Sequence, residues 1–231
     1  TGIGSIDSTG SVNTDAGFSI ISYTGTGSNA TVGHGLGVTP KMVIVRRRDS
    51  AGGWETYHSS VGATKYIELN STDAPATNST LWQDTAPTSS VFSIGTNGSV
   101  NNSGGTYIAY CFADVQGYSK FGSYTANNNS DGAYIHLGFK PALFICKKSS
   151  GTESWYMNDN KRSAFNPTKA ELYADNNQAE GTGNARIDLL SNGVKMRTDN
   201  GGYNTGSETY IYMAFAENPF VTSSGVPATA R

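Results

Sequence analysis

The feature that most constrains the fold is a segment that occurs twice in the chain with similar sequence; we call it the repeated phrase. "GHGLGVTPKMVIVRR" runs from Gly33 to Arg47, and "IHLGFKPALFICKK" runs from Ile135 to Lys148. At a shift of 101 residues, eight of the 33 positions from Ser22 to Trp54 are identical to their counterparts. A repeat of about 100 residues is far longer than the repeats of solenoids and propellers. We therefore expect a duplicated domain within the 231 residues.

The repeated phrase has the pattern of a buried strand. Its apolar residues, Met42-Val43-Ile44-Val45, are consecutive, so both faces of the strand should be covered, as in the centre of a sheet. Pro40 and Pro141 stand at the start of the strand, where a missing N–H is tolerated. The basic pair that follows is expected to lead the chain into solvent. We interpret the repetition as that of a core strand and not as a sign of an active site.

The rest of each repeat has the pattern of an all-β protein, in which short strands are separated by turns. Strand-forming residues alternate with turns rich in Gly, Asn, Ser, Asp and Pro, and only 15% of residues are charged, against about 25% in average globular proteins. In the first repeat we predict the strands Gly17–Thr24, Lys41–Arg47, Trp54–His58, Tyr66–Asn70, Val91–Gly95 and Thr106–Ala113. A short helical turn fits only between Asp73 and Asp84. The spacing suits a β-sandwich or a barrel, and together with the duplication we predict two tandem, pseudo-symmetric β-sandwiches, for example of jelly-roll-like type.

The repeat also predicts the domain boundaries. Residues 1–16, rich in Gly, Ser, Thr and Asp, are expected to be a linker from an upstream segment. The two sandwiches should occupy residues 17–117 and 118–220, followed by an extended tail at residues 221–231. The junction is short, so two closely packed sandwiches are favoured, and one merged fold remains an alternative.

Charge and hydropathy exclude several function classes. The net charge is -2 and no basic tract is longer than Arg46-Arg47-Arg48, so nucleic-acid binding is not expected. Apolar runs such as Tyr107–Ala113 are much shorter than the roughly 20 residues of a membrane-spanning helix, and no signal peptide is visible. Cys111 and Cys146 lie in apolar strands, which predicts buried free thiols and not a disulfide or a thiolate metal site.

No motif of a catalytic or metal site is present. Neither a Gly-x-Ser-x-Gly nor a His-Glu-x-x-His sequence occurs, and His34 and His136 are expected to cap turns. The segment Asn127–Gly132 carries oxygen ligands, but an Asn/Asp/Gly turn explains it as well as calcium does. Glycoside hydrolysis would need two facing carboxylates, and the sequence singles out no pair among Glu55, Glu68, Asp84, Asp114, Glu153 and Asp188. We therefore predict no enzymatic activity, no cofactor and no metal.

Aromatic residues are the better candidates for a binding site. Rings beside Asn, Asp and Gln suit sugar recognition, because a sugar stacks on the ring and bonds to the amides. The candidate ligand-binding residues are Trp54, Tyr57, His58, Trp82, Trp155 and Tyr156. Trp54 and Trp155 occupy equivalent positions of the repeat, so they could instead be core residues. Trp82 has no counterpart and is the best candidate for an exposed ring.

Several segments of the first repeat resemble a known family. "SYTGTGSNATVGHGLGVTPKMVIVRRRDSAGGWETYHSSVG", "WQDTAPTSSVFSIGT" and "SGGTYIAYCFADVQGYSKFGSYT" are similar to a repeat in tail-fibre and other virion-appendage proteins of marine bacteriophages, including cyanophages. The resemblance extends from Gly17 to about Phe220. The second repeat departs from it: it lacks Tyr57-His58 and contains the unusual segment "WYMNDNKRSAFNP". The resemblance implies a lectin-like β-sandwich in a structural phage protein and transfers no catalytic residues.

From this resemblance and the aromatic loops, we expect a non-enzymatic virion protein that recognises a host surface glycan or receptor. It would lie on a tail fibre or capsid surface, outside the cell, in contact with other virion proteins. A homotrimer is expected by analogy with fibres, where three weak sites gain avidity. The alternatives are a purely structural virion piece without a ligand, such as a capsid decoration or fibre-shaft module, and a polysaccharide depolymerase.

Overall fold

The protein is an all-β, sandwich-type chain that divides into two compact units. The computed structural model describes residues 2–217, so the predicted tail at residues 221–231 lies outside the described part. Among the described residues, unit 1 comprises 2–71 and 75–114, and unit 2 comprises 72–74 and 115–217. Within residues 2–217, no helix has the length and apolar character needed to cross a membrane.

Unit 1 is built from one large sheet and one small one. Its elements are β1 (Ser8–Asn13), β2 (Phe18–Thr24), β3 (Ala30–Gly33), β4 (Met42–Arg47), β5 (Trp54–His58), β6 (Lys65–Glu68), β7 (Ala76–Thr77), α1 (Ser79–Trp82), β8 (Val91–Ile94), α2 (Gly98–Asn101) and β9 (Thr106–Phe112). The large sheet is antiparallel with the strand order β1-β2-β9-β4-β5-β6-β7, and β3 pairs with β8. All six predicted strands of this repeat are present, with ends that differ by at most two residues.

Unit 2 pairs its strands in the same order. Its elements are β10 (Ser119–Thr125), β11 (Tyr134–His136), β12 (Pro141–Lys148), β13 (Trp155–Asp159), β14 (Leu172–Tyr173), β15 (Ile187–Leu190), β16 (Gly193–Met196) and β17 (Thr209–Ala216). The order β10-β17-β12-β13-β14 follows that of β2-β9-β4-β5-β6. The second sheet has the order β11-β16-β15. The last long strand of each unit therefore has equivalent neighbours: β9 lies between β2 and β4, and β17 lies between β10 and β12.

The core of unit 1 fills the space between its two sheets. Alternate residues of β2, β4 and β9 point inward from the large sheet, and Val32, Phe92 and Ile94 meet them from β3 and β8. Met42, Val43, Ile44 and Val45 are all buried, which confirms the prediction of a central strand. Cys111 and Cys146 are both free and buried, as predicted.

A stacked pair of tyrosines recurs in the two cores. The rings of Tyr23 and Tyr107 are 5.1 Å apart in unit 1, and those of Tyr124 and Tyr210 are 5.1 Å apart in unit 2. Each buried hydroxyl finds a backbone carbonyl, because an unpaired one would be costly. Tyr23 donates to the Val100 oxygen and Tyr124 to the Tyr203 oxygen, each at 2.7 Å. The repeated "SYT" and "TYI" sequences therefore encode packing.

A buried asparagine also has the same role in each unit. Asn101 accepts a hydrogen bond from the Thr26 N–H at 2.8 Å and donates to the oxygens of Ser28 and Gly95. In unit 2, Asn204 accepts from the Asn127 N–H at 3.0 Å and donates to the oxygens of Asn129 and Thr198. Asn101 thus joins the loop after β2 to a distant segment of unit 1, and Asn204 joins the loop after β10 to a distant segment of unit 2.

The basic residues that end the repeated phrase hold the next loop. The Arg46 guanidinium donates to the carbonyl oxygens of Gly52 at 2.6 Å and Gly53 at 3.3 Å. The Lys147 ammonium donates to those of Lys148 at 2.9 Å and Gly151 at 3.4 Å. Lys147 is fully buried, so the expectation that the chain leaves the sheet here for solvent was wrong for this residue. Burial lowers the pKa of Lys147 to about 8, although nearby carboxylates oppose the shift.

The prediction of a linker at residues 1–16 was also wrong. Residues 8–13 form β1, which pairs with β2 along its whole length and extends the sheet. Ile6 is buried in the core, and the Ser8 hydroxyl donates to the Gly33 oxygen at 3.1 Å. The segment has little apolar content because an edge strand is held by backbone hydrogen bonds and needs few buried side chains.

Candidate functional site

Most of the predicted aromatic ligand-binding residues are buried. Trp82 is 2% exposed, because α1 turns it inward, where its ring lies edge-on to Tyr57 at 6.3 Å. Tyr57, His58 and Trp155 are buried as well. The expectation of an exposed ring at Trp82 was therefore wrong. A sugar stacks only on an accessible ring face, so this structure offers it none of these four side chains.

The other two predicted residues are half-buried and packed on neighbours. The Trp54 ring stacks on Tyr110 with centroids 6.1 Å apart. The Tyr156 ring contacts Tyr173 and Tyr203, and its hydroxyl donates to Glu153 Oε1 at 3.0 Å. A ligand role for Trp54 and Tyr156 stays a prediction, but the six residues do not form one accessible site.

An exposed aromatic group lies instead on the small sheet of unit 2. Tyr134 on β11 is 46% exposed, and its hydroxyl donates to Asn192 Oδ1 at 2.8 Å. The hydroxyl lies 3.4 Å from Nδ1 of His136, the next residue on the same side of the strand. The Tyr134 ring lies close to Gly193, where an added Cβ would be 3.0 Å from it. We call Tyr134, His136, Asn192 and Gly193 the Tyr134 face.

Charged side chains surround the Tyr134 face. Lys195, opposite Tyr134 on β16, pairs with Asp131 at 2.8 Å. The Lys120 ammonium donates to the His136 carbonyl oxygen at 2.8 Å. The surface thus combines an accessible ring with an amide, an imidazole and ammonium groups, which can stack on a sugar and bond its hydroxyls. Sequence reasoning missed it, because only the pairing of β11 and β16 brings Tyr134 and Asn192 together.

A pair of carboxyl groups forms the most unusual polar cluster of unit 1. Glu55 on β5 lies directly opposite Glu68 on β6. A Cβ added to Gly53 would lie 2.9 Å from Glu55 Oε1 and 2.9 Å from Glu68 Oε2, so these oxygens are at most about 6 Å apart. Glu55 is buried, and its Oε2 has no hydrogen-bond partner among the described residues. Burial and the Glu68 charge raise the pKa of Glu55 to about 7.

A cavity of about 250 Å³ lies next to this carboxyl pair. It is lined by Arg47 and by residues 51–53 and 97–99. The lining includes Gly53 and Ser99, which neighbour the carboxyl groups, but neither glutamate itself. A sugar in the cavity would therefore not touch the two acids, and the arrangement does not support glycoside hydrolysis, which needs both carboxyl groups beside the scissile bond.

The remaining polar candidates of the sequence have structural roles. Nδ1 of buried His34 accepts from the Leu36 N–H at 3.2 Å, and its Nε2 lies 3.1 Å from the Thr88 oxygen, which confirms the capping prediction for His34. The same prediction was wrong for His136, which lies in β11 and not in a turn. The Asn127–Gly132 segment forms a turn in which the Asp131 N–H donates to Asn129 Oδ1 at 2.8 Å. Nowhere in residues 2–217 do three or more His, Cys, Asp or Glu side chains converge in a way that could hold a metal ion.

Strand order and cores define the class of this protein as an all-β chain of two sandwich-type units, with a polar aromatic face on unit 2. A family model described as a domain of unknown function, DUF7483, matches residues 1–219. The chain belongs to this family, and the match includes both units. No curated protein and no solved structure matches the chain.

Proposed function

We propose that this chain is a non-enzymatic component of a phage virion appendage that recognises a glycan or receptor on the host surface. The Tyr134 face carries the recognition part of the proposal. The exposed Tyr134 ring is already held by its hydrogen bond to Asn192, so it loses little conformational freedom when a sugar stacks on it. The entropic cost of binding is therefore small. The place of the chain on a virion, outside the cell, rests on the sequence resemblance.

The corresponding strand of unit 1 helps to locate the proposed site. β3 reads Ala-Thr-Val-Gly and pairs with β8, as β11 pairs with β16. Its Val32 and the Ile135 of β11 both belong to the buried cores, so the sandwich needs an apolar residue there. Neither Tyr134 nor His136 is needed for that purpose, because Thr and Gly occupy the flanking positions of β3. We therefore assign recognition to unit 2.

Binding of the purified chain to a glycan array and to a panel of marine bacteria and cyanobacteria tests the proposal. We expect Tyr134→Ala to weaken binding about tenfold, which corresponds to about 1.4 kcal/mol. Phe165→Ala is the matched control, since Phe165 is another exposed ring of unit 2, with 86% of its surface accessible. Flat signals for the wild-type chain, or equal losses in both variants, would contradict recognition at the Tyr134 face.

A second candidate is a purely structural virion module without a ligand. It is favoured by the burial of Trp82, Tyr57 and Trp155. The sequence predicted that these side chains bind a ligand, but in the structure they pack in the core. A structural module would assemble with other virion proteins while giving no glycan signal. Sedimentation of the purified chain measures the oligomeric state, for which a trimer is expected in both versions of the proposal.

A further inference from the structure

One wall of the cavity beside Arg47 is a backbone turn that recurs in unit 2. Residues 97–101 and 200–204 each begin with an asparagine, whose side-chain oxygen accepts the N–H two residues later at 2.9 Å. The backbone oxygen of the same asparagine then accepts the next two N–H groups. Gly98, which lines the cavity of unit 1, therefore corresponds to Gly201 of unit 2.

The facing wall also has a counterpart in unit 2. Trp54 of β5 and Trp155 of β13 hold the same place in the strand pairing, each opposite a basic residue of the repeated phrase. Two residues before the tryptophan, the chain has Gly52 in unit 1 and Glu153 in unit 2. Unit 2 thus carries a carboxylate at a position where unit 1 has only a glycine.

The Glu153 carboxylate occupies the space between the two walls of unit 2. A Cβ added to Gly201 would lie 3.0 Å from Glu153 Oε2, so the carboxylate reaches the opposite turn. Its Oε1 accepts from the Tyr156 hydroxyl at 3.0 Å. In unit 1 the corresponding space is the cavity of about 250 Å³, which both Gly52 and Gly98 line. The comparison indicates that this part of the fold accepts a carboxylate.

Guanidinium groups border the cavity of unit 1. Arg47 lines it, and its Nε and Nη2 donate to Asp49 at 2.7 and 3.5 Å. Nη1 of Arg47 has no hydrogen bond to any residue in the described part of the chain, so it can donate to a ligand. A Cβ added to Gly52 would lie 3.3 Å from Nη1 of Arg46, so a side chain at this position would meet a second guanidinium group. Guanidinium groups are strong partners of carboxylates.

The two acids near the cavity oppose a bound anion only weakly. Neither Glu55 nor Glu68 lines the cavity. Burial and the Glu68 charge raise the pKa of Glu55 to about 7, so this carboxyl group is mostly neutral at about pH 6. Binding of an anion is therefore best measured at that pH.

We propose that this cavity binds the carboxylate of an acidic sugar, a hexuronate, in the place that the Glu153 carboxylate has in unit 2. The lining contains the Asn97 amide, the Ser99 hydroxyl and several peptide groups, with Ala51 as an apolar contribution. Such a lining suits the hydroxyl groups of a sugar better than an apolar ligand. The cavity is smaller than the roughly 300–1,000 Å³ of pockets that hold drug-sized ligands, so a single sugar ring is the expected occupant.

NMR titration of sodium glucuronate into the full chain at about pH 6 tests the proposal. The amide signals of Gly52, Gly53 and Gly98 should shift with a dissociation constant of about 1 mM, as expected for so small a ligand. Glucose, which lacks the carboxylate, and acetate, which lacks the sugar ring, should each bind at least tenfold more weakly. Arg47→Gln should weaken glucuronate binding at least tenfold. Arg48→Gln removes the same charge at the exposed next position, outside the cavity, and should change the affinity less than twofold.

Gly52→Glu provides a second route, because it gives unit 1 the acid that unit 2 has at Glu153. The new carboxylate should occupy the cavity, so the variant should fold, as checked by circular dichroism, and lose glucuronate binding. Absence of shifts at a large excess of glucuronate, equal binding of glucose or acetate, or unchanged binding by folded Gly52→Glu would overturn the proposal. Shifts confined to the amides of Tyr134 and Asn192 would also overturn it, while leaving recognition at the Tyr134 face intact.

Discussion

Removing the side chain of Asn101 should severely destabilise unit 1. This buried amide makes three hydrogen bonds to backbone groups, at 2.8 Å to the Thr26 N–H, 2.6 Å to the Ser28 oxygen and 2.8 Å to the Gly95 oxygen. Asn101→Ala leaves all three groups without this partner. The Gly95 oxygen is in a buried bond, worth about 2 kcal/mol, while the two part-buried groups can regain water and cost about 1 kcal/mol each or less.

The expected loss is therefore about 3 kcal/mol, a large share of the roughly 5–15 kcal/mol that stabilises a typical domain. Urea unfolding measures it, and the melting temperature of unit 1 should fall by more than about 10 °C. Asn102→Ala, at the exposed next position, is the control and should stay within about 0.5 kcal/mol. Asn204→Ala should reproduce the large effect in unit 2. A loss below about 1 kcal/mol for Asn101→Ala would refute the role assigned to the buried amide.

Three further predictions concern packing, charge and the sheet edge. Trp82→Ala should cost about 3–5 kcal/mol in urea unfolding but leave glycan binding by the folded chain unchanged; weakened binding would restore Trp82 as a ligand residue. The pKa of Lys147 in the folded chain, about 8, lies below the ordinary value of 10.5. Between pH 8 and pH 10.5 the unfolded chain therefore binds more protons than the folded chain, so the free energy of unfolding should rise with pH in this range. The gain should be about 1 kcal/mol from pH 8 to 9.5 and absent in Lys147→Met; an equal gain in both proteins would contradict it. Deletion of residues 1–14 removes β1 and the buried Ile6, so it should lower the unfolding midpoint of unit 1, whereas a linker could be removed without effect.

The sequence predicts strands well where side chains carry the signal. Met42–Val45 is apolar at every position, rich in β-branched residues and preceded by Gly and Pro, which is typical of a short strand covered on both faces. β1 was missed because only Ser8 of its six residues is buried, and its backbone pairing to β2 leaves no trace in hydropathy. β3, with four residues, is too short for a period to show.

The candidate sites depend on tertiary structure. The polar neighbours of Trp82 predicted an exposed ring, but α1 is a single turn that sends Leu81 and Trp82 into the core. Glu55 and Glu68 were both recognised as acids, yet their meeting depends on the register of β5 and β6, which their own sequences do not specify. Tyr134 lies in a three-residue strand, so its exposure follows only from the sheet that β16 and β15 complete.

Each half of the molecule contains one natural chemical reporter. Cys111 belongs to the core of unit 1 and Cys146 to that of unit 2, and burial raises the pKa of each thiol to about 12. Near neutral pH neither sulfur reacts while its own half remains closed. Alkylation followed by peptide mass spectrometry can thus time the opening of the two halves separately in a single unmodified sample, without an engineered label.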